Sequence, residues 1–355
     1  MIALTSLAAS LILPSFGCHQ AMTRVVVDEQ SQSPDSAIKA AAENDKPPVR
    51  RRTFSDAQTA AGIDQPQPVA LTARRDYVDL DSRSDRLSVL SFNMEHRDRP
   101  RELAVMADRL RTDVAETPDF MLLQEVVFER SRGKGVEDNT AAVLANELGY
   151  HCRGTKRLSD HEGVAIVSRY PFSYYAERHL ASQTSRMLLG FNRVSVMGEF
   201  QVPEIGRVRV VNVHLTNWDF DARVRRNQLE ETLQWIGERQ RDVPADVVIL
   251  GGDFNIQVDS QDLGLVYNTR VTGGIEYRDH NNADTATRKG KRIDYIFVAE
   301  PLRSDRLVYV DEQALWASGI PMTGSRDRLH LSDHLPVLQE FRVGAANASG
   351  LAAVE

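Results

Sequence analysis

Cysteine is scarce in this chain: Cys18 and Cys152 are the two in 355 residues. That excludes a disulfide framework and a cysteine-rich zinc site. Positive charge is not in excess. The formal net charge is −7, so no overall basic field draws the chain to nucleic acid, although a local basic groove stays open to it. Long apolar runs are missing as well. The N-terminal stretch Ile2 to Leu13 falls short of the roughly 20 residues that span a bilayer. No internal repeat is visible, which excludes a repeat array. What is present, 42% hydrophobic and 26% charged residues, suits a soluble globular protein of one large α/β domain or two ordinary ones.

Pro14 ends the short apolar stretch, and Ser15 and Gly17 supply small residues after it. Residues 1–17 therefore read as an export signal, although no Lys or Arg lies among the first residues. The other reading is an unprocessed hydrophobic leader. Gly17-Cys18 resembles the end of a bacterial lipoprotein signal, whose cysteine is lipidated, while Ser15 and Phe16 depart from the usual pattern. The expectation is an exported chain, secreted or anchored in the bacterial envelope through Cys18. Residues 18–83 are rich in Gln, Ser, Asp, Ala and Pro and poor in large apolar residues. Such a segment buries too little surface to offset its ordering entropy and reads as a disordered linker. Residues 344–355 read as a flexible tail.

Between these lies one block, 84–343. "RLSVLSFNM" and "DFMLLQEV" are apolar, β-branched runs typical of buried strands. Between them Pro100 opens a helix with Leu103, Met106, Leu110 and Val114 on one face. "DNTAAVLANELGY" has Asp138 or Asn139 as its cap and Gly149 as its stop. Strands are expected in "GVAIVSRYP", "FNRVSVMGEF", "GRVRVVNVHL", "DVVILGGDFN", "RIDYIFV", "RLVYVDE" and "HLPVLQEFRV". A long helix precedes "DVVIL", with Leu229, Leu233 and Ile236 on one stripe. Many strands and fewer helices suit two packed sheets covered by helices.

Nearly every buried strand ends in a polar residue. These are Asn93; Gln124 and Glu125; Asn212, His214 and Asn217; Asp253 and Asn255; Asp294; and Asp333 with His334. Burying one such group without a partner costs about 2–7 kcal/mol. Convergence of all of them on one polar pocket with a cation is the economical arrangement. Its ligands would be carboxylate and amide oxygens without thiolate, which favours a hard cation, Mg²⁺ or Mn²⁺.

"LSFNM", "LQEV", "GVAIVSRYP", "VNVHLTN", "GGDFN", "KRIDYIF" and "LSDHLPV", in this order, resemble the endonuclease/exonuclease/phosphatase superfamily, the fold of pancreatic-type deoxyribonucleases. The resemblance implies a four-layer α/β sandwich: two packed, mainly antiparallel β-sheets flanked by helices, with the site at one end. It implies a metal on Asn93 and Glu125, with Asp333 a further metal-linked acid. It also implies a catalytic set of His214, Asp253, Asn255, Asp294 and His334, with His334 paired to Asp294. Asn217 and Arg186 are expected near the substrate phosphate, Arg186 being equally readable as a surface arginine. The implied activity is metal-dependent hydrolysis of a phosphodiester by in-line attack of water, on nucleic acid or on a phospholipid head group as in sphingomyelinases. A phosphomonoesterase and an inactive binding scaffold are the alternatives, and no protein partner is indicated.

Several residues read more blandly. His330 has no motif position and reads as surface or rim, and His151 and Cys152 as structural. His161 and Glu162 line the cleft at most. The basic run Thr287 to Arg292 is either a solvated hairpin or a grip on an anionic group. Asp333 and His334 would point to opposite faces of a regular strand, so the backbone at Ser332 to His334 is expected to leave strand geometry.

Overall fold

The alternation of side chains along each strand sets the layers of the protein. In the computed structural model, β1 (Arg86–Asn93) sends Leu87 and Val89 into one apolar cluster and Leu90 and Phe92 into another. The same division recurs in β2 (Phe120–Val127), where Phe120 and Leu122 face one way and Met121 and Leu123 the other. Strands covered on both faces read as continuous apolar runs, which is why these segments show no polar alternation. The structure describes residues 86–95, 100–114, 117–128, 139–156, 162–180, 193–217, 222–282, 285–302, 307–317, 319–321 and 328–344. The expected export signal 1–17, the linker 18–83 and the tail beyond Gly344 lie outside them, as do Cys18, His161 and Arg186.

The first half continues with α1 (Pro100–Thr112), α2 (Thr140–Leu148), β3 (His151–Lys156), β4 (Glu162–Ser168), β5 (Phe172–His179), β6 (Val194–Val202) and β7 (Gly206–His214). The second half holds α3 (Ala222–Asp242), β8 (Val247–Asp253), a 3₁₀ turn at Gln261–Leu265, β9 (Asp294–Ala299) and β10 (Leu307–Ala314). It closes with the short β11 (Ile320–Pro321) and β12 (Arg328–Leu329), then β13 (Val337–Val343). A six-stranded sheet runs β10-β13-β1-β2-β4-β3, and a five-stranded sheet runs β5-β6-β7-β8-β9. Leu87, Val89, Phe120 and Leu122 of the first meet Val208, Val210, Val247 and Ile249 of the second. Helices α1 and α2 cover the outer face of the six-stranded sheet, and α3 covers that of the five-stranded one. This is the expected four-layer sandwich.

Most neighbours are antiparallel. The exceptions are one parallel pair in each sheet, β1–β2 and β7–β8, joined through α1 and α3. A parallel pair leaves both carboxyl ends at the same edge, where ligands of α/β sheets bind. Asn93 thus lies beside Gln124, and His214 beside Asp253, which in turn faces Asp294 across the β8–β9 ladder. Ser91 pairs with Val337, so the turn carrying His334 arrives next to the end of β1.

Besides the two-residue β11 and β12, two strands of the main sheets are absent from the expected set, β3 and β5. Both are sheet edges and carry partly exposed residues along much of their length, so neither shows the apolar run that marked the others. One convergence fails as well. Gln124 and Asn212 do not enter the polar pocket but meet between the sheets, with Gln124 Nε2 donating to Asn212 Oδ1 at 2.7 Å. Asn212 Nδ2 also donates to the carbonyls of Leu123 and Ala165 across the gap, at 2.9 and 2.8 Å. Both side chains are fully buried, and their amide nitrogens find partners in each other's layer and in backbone carbonyls, although Gln124 Oε1 accepts no hydrogen bond among the described residues.

Candidate active site

Three local distortions aim the polar residues into one cleft. The β2–β4 pairing shifts register between Gln124 and Val126, and Glu125 at this bulge has φ 52°. A left-handed non-glycine residue stores strain that surrounding structure must hold, and here it turns the carboxylate out of the sheet. At the end of β8, Gly252 has φ 135°, and a Cβ there would stand 2.1 Å from the Val213 carbonyl oxygen. Glycine alone lets the strand deliver Asp253 next to β7. Asn255 (φ 52°) then reverses the chain, its N–H donating to Asp253 Oδ1 at 2.9 Å and its Nδ2 to the Leu215 carbonyl at 3.1 Å.

On one side of the cleft, Asn93 Nδ2 bridges Glu125 Oε1 at 3.1 Å and Asp253 Oδ2 at 3.0 Å. His214 Nε2 lies 3.5 Å from the same Asp253 oxygen and 3.9 Å from Glu125 Oε1. On the other side, His334 Nδ1 is 2.9 Å from Asp294 Oδ2, while its Nε2 lies 3.8 Å from Asp253 Oδ2. Asp253 is therefore the centre, shared by both histidines. The segment before β13 does leave strand geometry: it bends at Asp333, and His334 makes an isolated bridge to Arg288. His334 N donates to Ser332 Oγ at 3.0 Å, which fixes the bend.

Burial is close to complete for Asn93, His214, Asp253, Asp294 and His334. Burial, and then the charge of Asp294, push the Asp253 carboxyl up to about 7 against the pull of His334, Asn93 and the Asn255 N–H. Burial alone would lower His334, but the charge and hydrogen bond of Asp294, with Asp253 behind them, raise it to about 9. The cleft at neutral pH thus holds an imidazolium beside a carboxyl poised to exchange a proton.

The remaining sequence-derived residues fall at the rim or beyond. Asp333 Oδ1 lies 3.8 Å from His334 Nε2, but its Oδ2 receives Arg288 at 2.8 Å and Lys289 at 3.5 Å. Partial burial opposes its ionisation, yet Arg288, His334 and Lys289 hold the carboxyl below its ordinary range. As placed, Asp333 is held by this basic hairpin at the edge of the cleft. Asn217 is exposed three residues past His214, and His330 is exposed as expected. Arg186 lies outside the described residues.

Sequence reading missed three residues. Arg193, buried at the start of β6, brings one guanidinium nitrogen to 3.1 Å from both ring nitrogens of His214. Its signal was the register of β6 on β7, Ser195 opposite Val213, which carries the preceding arginine to the end of β7. Glu95 (φ 46°) accepts from the Asp333 N–H at 3.1 Å, tying the end of β1 to the His334 turn. Arg288 was one charge in a basic run, and nothing local marked it as the residue that reaches Asp333.

The donor set fits a hard divalent cation. One ligand atom from each of Asp253, Asp294 and His334 lies within 4.8 Å of the others, although the Asp294–His334 hydrogen bond would have to open for all three to ligate. Glu125 offers a carboxylate oxygen across from them, while Asn93 turns Nδ2 to the carboxylates and Oδ1 to the Glu95 N–H, so its amide would have to flip to ligate. Burial first, and then the charge of Asp294, disfavour the ionised Asp253 carboxyl, a cost that a bound cation would offset.

These layers, with the cleft at one end of the two sheets, are those of a four-layer α/β sandwich. The model of the endonuclease/exonuclease/phosphatase family matches residues 90–334, and the chain belongs to that family. No curated protein matches it. The catalytic domain of human Nocturnin, solved with a bound sulfate anion, is similar with TM-score 0.53 and 18% identity, over 73% of this chain and 95% of that one. ANGEL2, a 2',3'-cyclic phosphatase solved with adenosine-2',3'-vanadate, is similar with TM-score 0.53 and 18% identity, over 73% and 96%. Truncated TDP2 from Caenorhabditis elegans gives 0.52 and 20%, over 73% and 98%. At these identities the likeness concerns the fold.

Proposed function

We propose that this protein is a divalent-cation-dependent phosphodiesterase. The observation that carries the reading is Asp253, held between His214 and His334 with Asn93, Glu125 and Asp294 around it. Hydrolysis of a phosphodiester needs an aligned water, neutralised phosphoryl oxygens and help for the leaving oxygen. Asp253 orients the attacking water and accepts its proton, a task for which a pKa of about 7 is well placed. His334, kept cationic by Asp294, stabilises charge that builds on the phosphoryl group. Arg193 and His214 face the opposite side, where the guanidinium holds the imidazole and meets the phosphate. Mg²⁺ or Mn²⁺ bound by Glu125 and Asn93, with the Asp253 side of the cleft, would supply further polarisation of the phosphate when present.

The experiment is turnover of DNA, RNA, sphingomyelin and inositol phosphates by purified protein with Mg²⁺ or Mn²⁺, beside a His334→Ala variant. Diester hydrolysis that EDTA and His334→Ala both abolish supports the reading. Equal rates for the two proteins across the panel sink it, and release of phosphate from monoesters alone would make the protein a phosphomonoesterase. The proposal includes export, with Cys18 as the anchoring residue. Cell fractionation and the mass of the mature N-terminus check it, and an unprocessed chain in the cytosol refutes it.

A further inference from the structure

The basic run Thr287 to Arg292 is a two-residue hairpin, with Arg288 N and Lys291 N donating to each other's carbonyl and Lys289 and Gly290 at positive φ. It is anchored more firmly than a solvated loop requires. Thr287 is fully buried, and its Oγ1 accepts from the N–H groups of Ile293 and Asp294 at 3.1 and 3.2 Å. Its carbonyl accepts from Leu335 N at 2.7 Å. The hairpin is therefore in fixed register with both members of the His334–Asp294 pair.

Its charge faces the cleft. Arg288 places Nε and a terminal nitrogen on a single oxygen of Asp333, at 2.9 and 2.8 Å, and Lys289 Nζ reaches that same oxygen at 3.5 Å. Among the described residues Asp333 is the one carboxylate paired with these cations, and Lys289 and Lys291 are exposed. Two lysine ammonium groups are thus displayed at the rim, beyond the one guanidinium that Asp333 holds closely. Partial burial works against the Arg288 charge, but Asp333, then Asp253 and Glu125, hold its pKa above the ordinary value, so the guanidinium shares the field of the cleft. The arginine on the opposite wall, Arg193, is by contrast buried against His214.

We propose that the Arg288–Lys291 hairpin is a second anion subsite, which takes a phosphate group of the substrate adjacent to the one being hydrolysed. This rests on the phosphodiesterase reading and narrows it to substrates with two neighbouring phosphates. A choline head group, cationic beyond its single phosphate, would meet like charge there.

The test compares thymidylyl-thymidine with one diester (TpT), the same with a 5′-phosphate (pTpT), the trimer with two diesters (TpTpT), and bis(4-nitrophenyl) phosphate. Wild type is expected to favour pTpT or TpTpT over TpT by about tenfold in kcat/KM, through KM, an advantage that fades with salt. The pair K289E/K291E removes that preference and leaves bis(4-nitrophenyl) phosphate turnover unchanged. The preference for pTpT against TpTpT tells a terminal phosphate from a neighbouring diester as the source. Equal kcat/KM for TpT, pTpT and TpTpT in wild type, or an equal fall on every substrate in K289E/K291E, overturns the subsite while diester hydrolysis stands. If no diester turns over, the functional reading fails, and binding of a labelled oligothymidylate in EDTA, by anisotropy, still decides the subsite. Binding lost in K289E/K291E supports it, and binding equal to wild type refutes it.

Discussion

His334 and Asp294 lie 40 positions apart in the chain, yet Nδ1 of the first is 2.9 Å from Oδ2 of the second. Backbone on both sides enforces the contact. The β8–β9 ladder sets Asp294 opposite Asp253, and the Arg288 bridge sets the His334 turn beside β9. Removing the imidazole should therefore remove chemistry and leave the fold. His334→Ala is expected to lower kcat by about 10²–10⁴-fold with unchanged circular dichroism. A fall of less than tenfold would show that His334 takes no part in the reaction.

The same pair makes the metal-free protein sensitive to alkali. The His334 pKa rises from 6.5 to about 9 on folding, so its contribution is complete below pH 6.5 and is lost as pH climbs through 9. Asp253, raised from 3.8 to about 7, acts in the same direction, because its ionisation opposes the folded state as pH rises through that value. Urea midpoints in EDTA should fall from about pH 4, where Asp253 begins to cost the folded state, to about pH 9. Asp294→Asn should flatten the upper part of that fall. A midpoint that rises with pH contradicts the placement of both groups.

A cation should reverse this weakness. Mg²⁺ or Mn²⁺ at 100 times its Kd adds about 2.7 kcal/mol to a folded state that alone binds it. Thermal midpoints should therefore rise with the metal, and the rise should shrink in Glu125→Gln but persist in Lys289→Ala. Isothermal calorimetry gives the same comparison without any substrate. Equal metal binding by wild type and Glu125→Gln would remove Glu125 from the ligand set.

Two residues before Asp294, Arg292 is buried against Glu312 of β10, with contacts of 2.5 and 2.7 Å. Gln339 Nε2 and the Asn282 N–H also donate to Glu312, at 2.8 and 3.0 Å. Removing one charge strands the other in a dry interior. Glu312→Leu is expected to cost about 3–5 kcal/mol in denaturant unfolding, and R292M/E312L less than that. A double variant weaker than the single one would show that the pair itself, and not its solitary partner, governs stability there.

The legible part of this protein followed from burial. A polar residue closing an apolar strand has one reason to be there, and Asn93, Glu125, His214, Asp253, Asp294 and His334 do meet in one cleft. Gln124 and Asn212 carried the same signature and went elsewhere, because hydrogen bonding between sheets answers the same physical demand. Arg193 and Arg288 were illegible for a different reason. A long basic side chain is read by default as solvated, and its partner is named by strand register and hairpin anchoring, which are properties of the assembled sheets. The edge strands β3 and β5 escaped because an edge need not be apolar.

Each sheet contributes half of the cleft: Asn93 and Glu125 come from one, His214, Asp253 and Asp294 from the other. The alignment of reacting groups is thus a measurement of how the two sheets sit on each other, and the Gln124–Asn212 clasp is its zero mark. Substitutions deep at that junction, far from any substrate, would blur catalysis before they loosen the fold. In this architecture a slip of one sheet along the other by less than a bond length is already a functional event.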